Sequence, residues 1–202
     1  GIGRKRANVI VVIYNPTIPS EGYRRLVDVM GWNDPDELTQ KLIEDVRRAS
    51  GGYINYNVVL RIDVDGCPPW RSGFRYDPED LLSDIRAQTW KEGDGTSYKA
   101  VLEENGLIEK IAELDATEVW LWGAPGMHWD EYAMFIPDRD ERLPPTDNPW
   151  FYRPYDIPDL GRTLWVMGFN YERGEGEMLE SYCHRAEGIL ALAVGGGVWD
   201  TS

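Results

Sequence analysis

Histidines are scarce in this chain, and both stand close to acidic residues in its C-terminal half. His128 and His184 are the only histidines among 202 residues. On a helix turning about 100° per residue, Glu177, Glu180, His184 and Glu187 fall within an arc of about 80°. Leu179, Cys183, Ala186 and Leu190 occupy a neighbouring apolar arc, so the Glu/His stripe is expected to border the buried face. A carboxylate there is partly desolvated and its pKa rises, while a histidine beside it gains proton affinity. Both changes bring acid and base groups into use near neutral pH. A plain structural explanation competes, since acids in a first turn complement the helix dipole and Glu180 with His184 is an i, i+4 pair. The residues just upstream favour a site. Asn170-Tyr171-Glu172-Arg173 follows an apolar run directly, and Gly174 and Gly176 allow close backbone approach.

A second stretch, Trp120–Met134, carries His128, Trp129, Asp130 and Glu131 close behind another apolar run. With the first stretch it gives three readings. In a glycan hydrolase Glu131, Glu177 and Glu180 supply general acid and base and His184 orients them; a carboxylate pair would then stand roughly 5 to 9.5 Å apart across the scissile bond. In a metal-dependent hydrolase His128, Glu131, Glu180 and His184 form a mixed nitrogen and oxygen set for zinc or calcium, although the H-E-x-x-H spacing is missing. In a non-catalytic module the same residues bind a carbohydrate or a cation. Trp129, Trp150 and Tyr152 would stack on sugar rings, with Asn170, Glu172 and Arg173 bonding to hydroxyls. Phosphate-loop, nucleophile-elbow and dinucleotide fingerprints are absent from the sequence. Cys183 falls on the apolar arc, where a small hydrophobe is the commoner role than a nucleophile. Cys67 and Cys183 are either one disulfide or two buried free thiols.

These residues need a scaffold. Asn8–Tyr14 is a continuous β-branched run, the pattern of a strand buried on both faces. Asp34-Pro35 and Asp77-Pro78 each open a helix, a second strand covers Tyr53–Val64, and a helix is expected over Tyr98–Leu114. Glu118–Trp122 and Thr163–Phe169 are two late strands, and a helix over Glu175–Leu192 follows the second. Between the late strands, Gly126–Arg162 is rich in proline and shows neither period, so it reads as a long irregular binding loop. The order predicts one α/β domain over residues 1–202, a mostly parallel sheet with helices on both faces and that loop. Ligands of such sheets sit beyond the carboxyl ends of the strands, where Asn15, Gly123–Asp138 and Asn170–Glu187 are expected to converge.

Composition narrows the partners. Thirty-five acids against 21 Lys and Arg give a net charge of -14, which repels phosphate backbones and argues against nucleic acid. No apolar run is long enough to span a bilayer. Nine Trp and eleven Tyr suit a glycan or another neutral polymer. Glu118–Met134 (EVWLWGAP, then EYAM) and Gly168–Glu187 (GFNYERGEGEMLESYCHRAE) resemble a family of bacterial and fungal proteins, many of them exported, that carries no established activity. The resemblance reaches Pro35–Tyr76 more weakly. It implies an extracytoplasmic or secreted protein, and the chain's opening on Gly1 allows for a removed export signal. Family members carry E-S-R-M where Glu131–Met134 stands, and they continue past the end of this chain with a segment containing Asn and His. That implies a short member or one lacking part of the site.

Overall fold

The β-branched run near the start forms β1 (Lys5–Tyr14), whose residues from Val9 onward are buried because helices cover both faces of the sheet it centres. The computed structural model describes residues 4–129, 132–135 and 160–193. β1 is followed by a two-stranded ribbon of β2 (Thr17–Ile18) and β3 (Arg24–Arg25). The main sheet adds β4 (Ile54–Val64), β5 (Ala116–Gly123), β6 (Tyr132–Phe135) and β7 (Leu164–Asn170), in the order β4-β1-β5-β7-β6. All of its strands run parallel except β6, which pairs antiparallel to β7. The expected α/β sheet is the one that forms.

The two faces of the sheet can be read from alternation along β1. Asn8 donates to the carbonyl of Leu114, and the Tyr14 hydroxyl donates to Glu104 at 2.8 Å, so the even-numbered residues face α4 (Tyr98–Glu104) and α5 (Leu107–Glu113). The odd-numbered ones share a face with Tyr56 and Glu118, their register partners, and that face is covered by α2 (Pro35–Ala49) and α6 (Glu175–Ala193). Helix α2 begins where expected: Asp34 accepts from the amide of Asp36, Pro35 stands at the first position, and Leu38, Leu42 and Val46 are buried. α3 (Pro78–Ala87) repeats this with Asp77 as its cap. A short α1 (Leu26–Met30), after the ribbon, was not foreseen.

Three departures have physical causes. The single helix expected over Tyr98–Leu114 breaks between α4 and α5, because Gly106 takes a left-handed φ of 64° and Asn105 turns its amide back to Val101 and Tyr14. Within the supposed irregular loop the four residues of β6 complete the sheet edge, with Ala133 buried; a run that short carries no legible period. Residues 136–159 of that loop, with Trp150 and Tyr152, lie outside the described residues. The cysteines are free thiols, and only Cys67 is buried, where burial pushes its thiol up to about 12. Cys183 is exposed, against its expected place on the apolar arc. Among the described residues no helix is long and apolar enough to cross a membrane.

Candidate functional site

Past the end of β5 the chain turns back at once. Gly126, with φ of 89°, permits a turn in which the amide of Met127 donates to Ala124, and the returning segment lays Trp129 over Gly123. A Cβ on Gly123 would stand 2.3 Å from the Trp129 ring and 2.5 Å from Met127 Sδ, so only glycine fits between strand and indole. The return is held by Thr96, whose hydroxyl donates to the carbonyl of Met127 at 2.6 Å and whose amide donates to His128 at 2.9 Å. His128 takes a strained φ of 53°; its Nε2 is 2.8 Å from the Lys91 carbonyl and its ring packs edge-on to Trp70. Gly123→Ala is therefore expected to cost about 1–3 kcal/mol by overpacking and to displace Trp129. Thermal melts and tryptophan fluorescence would check this; unchanged melting and emission would contradict it.

Past β7 the chain is fixed more firmly. Asn170 Oδ1 accepts from the amide of Glu172 at 2.9 Å, and its carbonyl accepts from Arg173 at 3.1 Å, closing a tight turn before α6. Tyr171 is fully buried: its amide donates to Gly123 at 3.2 Å and its hydroxyl to the Tyr14 carbonyl at 2.8 Å. Burial holds that hydroxyl well above the usual tyrosine range, so it stays a donor. The Asn33 amide also reaches the carbonyls of Tyr171 and Arg173. Three strand ends, those of β1, β5 and β7, are thus joined through one residue.

Between the two turns and the first part of α6 lies a cavity of about 560 Å³. Trp129, Asn170, Arg173, Glu177, Glu180 and His184 all line it, with His128 on the opposite wall. Along α6, Arg173 Nε is 3.2 Å from Glu177 and His184 Nε2 is 3.7 Å from Glu180. Ser181 and Met178, which the sequence did not single out, add a hydroxyl and a buried floor. The sheet's topological switch point is at β1 and β5, since the chain crosses first to β4 and then back to the other side. The cavity sits one strand further on, at β5 and β7.

The convergence foreseen from sequence is therefore real for these residues, but the environment is not the expected one. The side chains of Glu177, Glu180 and His184 are 54%, 66% and 46% exposed. The stripe is solvated, and its carboxylates are not desolvated by the core. α6 is rolled by about one residue, some 100°, from the orientation its leucines implied, and buries Met178 and Arg185 instead. Arg185 goes inside because Glu118 on β5 waits there as its ion-pair partner. The metal set of His128, Glu180 and His184 does not assemble: among the described residues no three His, Cys, Asp or Glu groups come together. Glu172 is exposed and is not a cavity wall. Asn15 caps the amide of Val27 and lines no part of the cleft. Glu131, Trp150 and Tyr152 lie outside the described residues. No protein-family model matches the chain, and neither a curated protein nor a solved structure matches it.

Proposed function

We propose that the cleft at the ends of β5 and β7 binds a neutral, hydroxyl-rich ligand of the glycan type. The observation that carries this reading is that the ion pair of Arg173 with Glu177 and the close approach of His184 to Glu180 stand along one wall of a cavity whose other side holds Trp129. Arg173 offsets the charge of Glu177, and the four side chains set donors and acceptors side by side, which suits sugar hydroxyls. An indole edge with an apolar face suits the sugar ring. The cavity is within the usual size range for small-ligand sites. The extracytoplasmic setting implied by the sequence resemblance is part of this proposal, because neutral polymers of this class are met there.

Hydrolysis of the bound glycan is the second reading, and the Glu180–His184 pair favours it. Glu177 is already engaged by Arg173, so among the described candidates Glu180 is the carboxylate left to exchange a proton, with His184 beside it. Glu180 is exposed in the free protein, and a bound ligand that excludes water would supply the desolvation that proton exchange requires.

Titration calorimetry with soluble xylan, mixed-linkage β-glucan and chito-oligosaccharides tests both readings. Arg173→Ala and His184→Ala are solvent-exposed changes and should leave melting unaltered while weakening binding about tenfold, or about 1.4 kcal/mol. Glu180→Gln should keep affinity and, on the hydrolytic reading, abolish release of reducing ends. Binding without any product in the parent protein removes the hydrolytic reading; absence of binding to every glycan removes both.

A further inference from the structure

At the opposite, amino-terminal edge of the sheet is a second cavity, of about 440 Å³, which the cleft chemistry does not use. Its unusual component is Arg185, only 9% exposed. The guanidinium carbon lies over Trp165, 4.3 Å from the ring centroid, and 5.2 Å from that of Tyr182. Nη1 donates to Glu118, and the same carboxylate oxygen accepts from Trp120 Nε1 at 3.1 Å. One edge of the guanidinium is pinned and both neighbouring rings restrict rotation, so the group is preorganised before any ligand arrives. Its Nε and Nη2 donate to no described residue, while Arg185 forms part of the cavity wall. A buried ion pair is a weak source of stability compared with apolar packing, but it fixes an orientation.

The rest of the cavity states the ligand's chemistry. Ile54 and Trp165 supply apolar wall, and the linked hydroxyls of Tyr56 and Tyr182, 2.7 Å apart, lie beside them. Lys5 pairs in register with Ile54 and so shares its face, and Arg6 adjoins it. Lys5 and Arg6 thus line the same cavity as the Arg185–Glu118 pair, an excess of positive charge on a chain whose overall charge is -14. An anion is attracted here against the sign of the molecule as a whole. We propose that this cavity is a second binding site, for a small apolar molecule bearing one carboxylate, with the acid group on Arg185 and Lys5 and the body against Trp165 and Ile54.

The probes are 4-phenylbutyrate and its neutral amide, 4-phenylbutyramide, followed by calorimetry and by the indole nitrogen–proton resonance of Trp165. The acid should bind one-to-one, at least tenfold tighter than the amide, and move the Trp165 resonance. Lys5→Glu, at an exposed position, should weaken the acid about tenfold and leave the amide unchanged. Thr163→Trp, on the exposed rim, should block both. Equal affinity of acid and amide overturns the proposal, as does an unmoved Trp165 resonance or failure of the acid to bind at millimolar concentration. Neither variant touches the glycan cleft, so its binding serves as a control for folding.

Discussion

Glu118→Ala should lower the unfolding free energy by about 3–5 kcal/mol, the largest loss expected from removing a carboxylate among the described residues. Glu118 is 3% exposed and Arg185 is 9% exposed, and the two meet between the sheet and α6. Removing the carboxylate strands a guanidinium in that layer and takes the acceptor from Trp120 Nε1. Arg185→Leu should cost a similar amount, because it leaves the carboxylate unpaired. Glu118→Leu combined with Arg185→Leu should recover most of the loss, since the pair's net contribution over apolar packing is small. With the single Glu118→Leu variant added, urea denaturation followed by circular dichroism gives all four corners of the leucine cycle. Losses under about 1 kcal/mol for both single changes would mean that water from the adjacent cavity solvates the pair and that α6 is anchored by Met178 and Tyr182 alone.

The same pair explains what could be read from the sequence and what could not. The order of elements was legible because β1 is an uninterrupted apolar run and because Asp-Pro caps open α2 and α3. The location of the cleft was legible too, since a parallel sheet sends its late loops to one edge and the polar residues after β5 and β7 are dense. The roll of α6 was not. Its orientation was inferred from the apolar arc of Leu179, Cys183, Ala186 and Leu190, yet Arg185 is buried and Cys183 is exposed. A signal for this was present: Glu118 is the one charged residue inside the apolar strand EVWLW, and a buried carboxylate requires a cation. Tyr171 was overlooked as a positioning group for a related reason. Its hydrogen bond to Tyr14 spans 157 positions, and no local pattern encodes a contact of that range.

Tyr171→Ala should cost about 3–5 kcal/mol and should weaken the cleft more than its stability loss alone implies. The fully buried ring lies 5.9 Å from Trp32, and its hydroxyl is 2.8 Å from the end of β1. Deleting it leaves a void beneath the turn that sets the positions of Asn170, Arg173 and the start of α6. Those residues carry half of the cleft wall, so ligand affinity should fall at least tenfold at temperatures where the variant remains folded. Tyr171→Phe separates the two contributions. It keeps the ring and loses only the hydrogen bond, for an expected cost of about 1–2 kcal/mol and a change in affinity below threefold. If the alanine variant, once folded, bound glycan as well as the parent, the amide bond to Gly123 and the Asn33 contacts would suffice to hold the turn. The ring would then matter to the core and not to the site.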